Sequence, residues 1–315
     1  MYPQPKEIKS ITSIGGGPIG GGWSAHFLAK GYNVKSYLHD HKEESEFWNI
    51  LKTAWRSLRE LGLSPGASLN NLSIVYSIEE AVKETEFIQE SAPEILSLKQ
   101  ELYKFLGEVV PRNIVIGSST SGLTMTDIQL HCSTAARTVI AHPFNPPYLL
   151  PLVEIVGGEK TSKDTVDWAN SFFKAAGKEP LLMRKEIPGF VATRLQEALW
   201  REALHMVAND EASPDDIDKA LMNGPALRMA VQGQCMAFHV ACGRGGMATN
   251  LDQFGPALKL PWTRLNAPEL TPNLRNKMVE GCDDIAGARD FTELATQRDR
   301  EIVAMINALK KVKND

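Results

Sequence analysis

Two rhythms of apolar and polar positions run along this chain. In its first part, short apolar runs rich in Ile and Val predict strands over residues 7–14, 34–38, 72–76, 87–90, 114–118, 138–142, 152–156 and 181–184. Between them, apolar residues at helical spacing predict helices over 19–30, 41–61, 95–110 and 161–176. Gly31, Gly62 and Gly177 stop three of these helices. Ser77, with Glu80 three residues on, marks a capping box at the start of a short helix. Strands that alternate with helices in this way build βαβ units. The expected class is therefore α/β, a Rossmann-type doubly wound and mostly parallel sheet.

The rhythm changes near Pro188. From there the pattern is helical, with a long helix over 190–209 and another that starts at Pro214 behind the cap residue Ser213. Residues 223–272 are rich in Gly and Pro and predict short helices and loops, and 291–313 predict a terminal helix. The expected domains are a sheet domain over 1–187 and an all-helical C-terminal domain over 188–315.

Composition changes this picture little. At 315 residues, 43% of them hydrophobic and 23% charged, the chain is long enough for two cores. A net charge of −4 gives no reason to expect a nucleic acid or an anionic membrane as partner. Cys132, Cys235, Cys242 and Cys282 form no C-x-x-C pair, so free thiols and no metal site are expected. No leader precedes Ile8, and no apolar run reaches the ~18 residues of a membrane span. A cytoplasmic protein is expected.

The chemistry begins at Gly15, Gly17 and Gly20, a G-x-G-x-x-G pattern that follows the first strand and opens the first helix. Gly15 permits the tight turn, and Gly17 lets the backbone approach a pyrophosphate. Gly20 lets the helix pack on the strand, and the helix start at Pro18 and Ile19 faces the phosphates. This is the context of a dinucleotide site. An acid is expected at the end of the second strand to hold the ribose hydroxyls. Leu38 stands there, and Asp40, two residues on among His39, His41 and Lys42, is the candidate replacement. No Arg occurs over 34–44, so NAD is expected rather than NADP.

Two further segments follow strands: Gly117-Ser-Ser-Thr-Ser-Gly-Leu123, which carries Ser119 and Ser121, and Ala141-His-Pro-Phe-Asn-Pro-Pro147. Ligands of doubly wound sheets bind at such strand ends. Oxidation of an alcohol by a nicotinamide needs a base for the hydroxyl proton. His142 suits that task, and Glu154 on the next strand can orient and stabilise it. Ser121 can hydrogen-bond the reacting oxygen, and Asn145 either the nicotinamide amide or the substrate.

The glycine loop together with S-S-T-S-G-L, H-P-F-N-P and L-V-E resembles the 3-hydroxyacyl-CoA dehydrogenase superfamily over nearly the whole chain. The resemblance implies NAD as cofactor, His142 and Glu154 as a catalytic dyad assisted by Ser121, and a homodimer formed through the helical domain. It also places Glu94 and Lys99 on the nicotinamide side of the cofactor. Apolar residues recurring along 190–207 and 251–262 point to the same dimer.

Within the family, the runs 88–94, 141–158, 197–204 and 253–263 resemble the carnitine branch, which implies L-carnitine as the small-molecule substrate. A quaternary ammonium is recognised by aromatic faces, and Phe190, Trp200, Phe238, Phe254 and Trp262 are available. Arg194, Arg201 and Arg228 are candidates for the substrate carboxylate. Thr193 stands where acyl-CoA enzymes carry Asn, and 232–236 departs from the family pattern. The alternatives are another 3-hydroxy acid (L-gulonate, 3-hydroxybutyrate or a short 3-hydroxyacyl-CoA) or a crystallin-like NAD-binding protein without catalysis.

Overall fold

The computed structural model describes residues 2–314, so the expected domain limits at 1 and 315 lie outside the described residues. Eight strands form one sheet: β1 Ser10–Ile14, β2 Asn33–Tyr37, β3 Leu72–Val75, β4 Phe87–Glu90, β5 Val115–Ser118, β6 Thr138–Pro143, β7 Leu152–Val156 and β8 Glu179–Leu182. Their order is β3-β2-β1-β4-β5-β6-β7-β8. Every neighbouring pair is parallel except β6–β7. The order reverses at β1, which pairs with β2 on one side and β4 on the other. That reversal opens a crevice at the strand C-termini.

Alternation along the strands explains the two layers. Ile11, Phe87, Val115, Val139, Val153 and Ile155 enter one core, and Ile14, Ile88, Ile116, Ile140 and Val156 enter the other. Side chains on successive strand residues point to opposite faces, so a central strand apolar at every position must be covered on both sides. Helices α1 (Pro18–Ala29), α2 (Glu44–Leu61) and α6 (Lys163–Ala175) supply the first cover through Trp23, Phe27, Phe47, Leu51, Phe172 and Phe173. Helix α4 (Leu96–Val109) and the one-turn helix α5 (Met125–Ile128) supply the second through Tyr103, Leu106, Met125 and Ile128. The short helix α3 (Ile78–Ala81) starts at the expected cap, where Ser77 accepts from the Glu80 amide.

The fold class is as expected, with differences at particular elements. β8 sits two residues earlier than the expected 181–184 and is mostly exposed, so no alternation marks its register. Residues 41–43 form a 3-10 turn before α2 rather than its first turn. The sequence reading missed α5, although Thr124 caps it by accepting from the Asp127 amide.

The chain divides into two compact units, one of residues up to Thr193 together with those from Ala295 onward, the other Arg194–Leu294. Helix α7 (Ala192–Ala208) starts two residues later than expected, because Phe190 has a positive φ of 50°. The second unit is helical: most of α7, then α8 (Pro214–Asn223), α9 (Pro225–Met229), α10 (Gln234–Ala241), α11 (Gly246–Phe254) and α12 (Pro272–Ala286). Ser213 makes a complete capping box with Asp216 at the start of α8. The last helix, α13 (Phe291–Asn314), falls largely in the first unit. There Val303 enters the core and Asp299 accepts from the Tyr148 hydroxyl at 2.5 Å.

Candidate active site

The glycine turn has the geometry of a phosphate cradle. Gly15 has φ +112°, and a Cβ on it would stand 2.5 Å from the Ser91 carbonyl oxygen. A Cβ on Gly20 would stand 2.0 Å from the Gly15 carbonyl oxygen, so only glycine lets α1 begin this close to the turn. At Gly17, the cap of α1, a side chain would meet nothing within 4 Å. The open space at Gly17 faces the first turn of α1, where Pro18 and Ile19 stand and backbone N–H groups are left for an anion.

A cavity of about 730 Å³ opens here. Gly15, Gly16, Gly17, Ser91, Ala92 and Pro93 line it on one side, and Ile78, Leu98, Leu102 and Phe105 give it an apolar wall. A glycine turn with open space at Gly17, beside an apolar slot at the sheet reversal, fits a dinucleotide.

Leu38 is fully buried. The Asp40 carboxylate caps the turn that follows it: it accepts from the Lys42 amide at 2.9 Å and lies 3.9 Å from the Lys42 ammonium. Asp40 is not among the residues that line the cavity.

His142 and Glu154 come together because β6 and β7 run antiparallel with these two residues in register. Nδ1 of His142 lies 2.9 Å from Oε2 of Glu154. The other oxygen, Oε1, accepts from the amides of Val191 at 2.9 Å and Ala192 at 2.8 Å, at the start of α7. Burial pushes the Glu154 carboxyl up, but the hydrogen bonds from His142, Ala192 and Val191 outweigh it and hold the group below its ordinary value. The pair is therefore an ionised carboxylate that fixes the imidazole through Nδ1. Phe144 and Phe190 each place a ring 5.4 Å from the imidazole.

A second carboxylate network closes the adjacent strand ends. Glu90, fully buried at the end of β4, accepts from Lys99 Nζ at 2.6 Å, Ser118 Oγ at 2.6 Å and the Ala92 amide at 2.7 Å. Lys99 also donates to the Ala92 carbonyl and lies 3.7 Å from Glu94. One oxygen of Glu94 accepts from Thr120 Oγ1 and from the amides of Ser121 and Gly122, with Ser121 Oγ at 3.4 Å. This network brings together Glu94, Lys99 and Ser121.

Ser119 is held from three sides. Its hydroxyl accepts from Gln89 Nε2 at 2.7 Å and Trp23 Nε1 at 3.2 Å, and lies 2.8 Å from Ser91 Oγ. With both lone pairs used, Ser119 donates to Ser91. Ser91 also lines the cavity.

The remaining expected residues are more dispersed. Asn145 is exposed on the loop after β6, and Thr193 is half-buried on the first turn of α7. Arg194, Trp200 and Arg228 belong to the second unit, the first two on α7 and the third on α9. Within that unit Arg201 donates to the Leu265 carbonyl and lies 3.9 Å from Glu197. The sequence reading did not single out Trp23, Gln89, Glu90 or Ser91 for the site. Gln89 and Glu90 carry a visible signal, two polar residues ending an otherwise apolar buried strand.

Among the described residues no group of three or more His, Cys, Asp or Glu could hold a metal ion, and no helix is long and apolar enough to cross a membrane. A glycine turn at the sheet reversal and a buried His–carboxylate pair on neighbouring strands fit an NAD-dependent hydroxy acid dehydrogenase. Models of the 3-hydroxyacyl-CoA dehydrogenase NAD binding domain and C-terminal domain match residues 10–187 and 189–276. The chain belongs to the 3-hydroxyacyl-CoA dehydrogenase family.

L-carnitine dehydrogenase of Nocardiopsis dassonvillei is 50% identical over 98% of this chain and 94% of its own. That of Pseudomonas aeruginosa is 44% identical over 98% and 96%. Among solved structures, 5-formyl-3-hydroxy-2-methylpyridine 4-carboxylic acid 5-dehydrogenase, an NAD+ dependent dismutase, is similar with a TM-score of 0.80. It is 27% identical and covers 96% of this chain and 99% of its own. The 3-hydroxybutyryl-CoA dehydrogenase of Escherichia coli shares the fold at 22% identity, with a TM-score of 0.64 over 87% of this chain and 57% of its own.

Proposed function

We propose that this protein is an L-carnitine 3-dehydrogenase, which oxidises the 3-hydroxyl of L-carnitine to the ketone of 3-dehydrocarnitine. The observation that carries the chemistry is the His142–Glu154 pair, 2.9 Å apart and buried. Nε2 of His142 accepts the hydroxyl proton while the hydrogen on C3 leaves as hydride, and Glu154 stabilises the imidazolium that results. NAD, when bound, supplies the hydride acceptor. Ser121 holds the reacting oxygen, and Asn145 and Thr193 hold the substrate or the nicotinamide beside it. Gly15, Gly17, Pro18, Ile19 and Gly20 cradle the pyrophosphate, with Glu94, Lys99 and Ser119 on the nicotinamide side.

The choice of carnitine rests on the two L-carnitine dehydrogenases that match nearly end to end. Trp200, Phe238, Phe254 and Trp262 of the second unit are large exposed aromatics of the kind that receive a quaternary ammonium. We assign the carboxylate to Arg194 or Arg228. Exposed Leu195, Leu199, Leu227, Leu258 and Trp262 support a homodimer formed through the helical residues. Free thiols on all four cysteines support a cytoplasmic setting.

The test is a substrate panel followed at the NADH absorbance band. L-carnitine should give the highest kcat/KM. A higher value for L-gulonate, 3-hydroxybutyrate or 3-hydroxybutyryl-CoA overturns the substrate assignment. Saturable NADH binding without turnover of any of them overturns the enzyme reading in favour of a crystallin-like protein.

A further inference from the structure

We infer that Glu43, rather than Asp40, is the acid that holds the adenosine ribose hydroxyls and turns away a 2′-phosphate. This inference rests on the dinucleotide reading of the cavity. The usual position for the ribose acid is taken by Leu38, whose side chain turns inward and approaches to 2.6 Å of where a Cβ on Gly16 would stand. Glu43 reaches the same place. Its Oε2 is 3.0 Å from that Cβ position, so the carboxylate lies against the middle of the phosphate turn. It lines the cavity beside His39 and Tyr37, which stand at the end of β2.

Two backbone contacts place it there. The Glu43 amide donates to the Asp40 carbonyl at 3.0 Å, which closes the 3-10 turn, and Oε2 accepts from the His39 amide at 3.3 Å. The turn therefore carries a carboxylate back over the end of β2, where a longer reach replaces the missing short one. Asp40 is spent in building that turn: its carboxylate accepts from the Lys42 amide and faces the Lys42 ammonium.

The chemistry follows from charge. A carboxylate accepts hydrogen bonds from the 2′- and 3′-hydroxyls of a ribose, and those bonds are charge-assisted. A 2′-phosphate at the same point meets like charge instead, and Glu46, which also lines the cavity, adds to the repulsion. The Lys42 ammonium is turned to Asp40 and solvent, with a side chain 91% exposed.

The test is equilibrium binding, read by NADH and NADPH fluorescence with no substrate present. Wild type should bind NADH more tightly than NADPH. Glu43→Ala should weaken NADH about ten- to a hundredfold, the worth of a hydrogen bond to a charged group, and narrow the gap to NADPH. Glu43→Gln, which keeps the shape and removes the charge, should lose less NADH affinity and gain NADPH affinity; it decides the question if the alanine variant melts early. Asp40→Ala should bind NADH as wild type does. An unchanged NADH Kd in both Glu43 variants, or a loss in Asp40→Ala instead, overturns the assignment while leaving the dinucleotide site intact. A wild type that binds neither nucleotide overturns both.

Discussion

His142 and Glu154 stand directly opposite each other across the antiparallel junction of β6 and β7. Glu154 splits its carboxylate between the imidazole and the start of α7. The β6–β7 register is thus what makes the pair, and the Val191 and Ala192 amides at the start of α7 hold the carboxylate in place.

His142→Ala should lower turnover by about two to four orders of magnitude, the usual worth of a general base. NADH binding should survive, because the phosphate turn lies on β1 and α1. Turnover near that of wild type removes His142 from the mechanism.

Glu154→Gln keeps the shape and loses the charge. Turnover should fall by about two to four orders of magnitude. Acid stability supplies a second readout. The folded carboxyl lies below its ordinary value of 4.5, so the stabilisation it gives is present above that value and is lost as pH falls through the lower folded one. Wild type should lose Tm more steeply than the variant as pH drops below about 4.5. Parallel melting curves would show that the pair contributes nothing there.

Glu90→Gln leaves the buried Lys99 ammonium without its 2.6 Å carboxylate partner. Breaking a buried pair on one side costs about 3–5 kcal/mol, so urea unfolding should shift its midpoint well downward. A shift under ~1 kcal/mol would place the pair among surface-like ion pairs.

Lys178 donates to the carbonyls of Pro147 and Leu150 and lies 5.0 Å from the Trp23 ring. Burial, with Lys30 nearby, brings its ammonium down to about 7. The unfolded chain holds that proton up to the ordinary lysine value of 10.5. Between these values the unfolded state binds more protons, so this group makes stability rise with pH and withdraws it as pH falls toward 7. Lys178→Met should flatten the rise in Tm between pH 7 and 9. An equal slope in both proteins would reject the buried lysine as its source.

Much of this was legible in the chain. The alternation of strands and helices, the glycine turn, and His142 followed by Glu154 on the next strand are local patterns, and local patterns survive in sequence. What was not legible depends on contacts between distant residues. Nothing near Leu38 shows that the following turn brings Glu43 back to Gly16, because that depends on the fold of residues 40–43. Trp23 reads as one more apolar helix residue, yet its indole N–H reaches Ser119 across the first core. Phe190 reads as the start of a helix. Its positive φ and its place against the imidazole depend on how Gly189 and Val191 are held.

The return of α13 to the sheet unit makes the second unit an insertion within the first. Order of synthesis and order of folding therefore part company. A growing chain has completed β1 through β8 and then every helix of Arg194–Leu294 before it makes Asp299 and Val303, which Tyr148 and the first core await. Until then the first core lacks Val303, and Tyr148 lacks the carboxylate that accepts its hydrogen bond. Chains released before Asp299 and Val303 are made lack a core residue and a buried hydrogen bond, the kind of incompleteness that makes folding intermediates prone to aggregate.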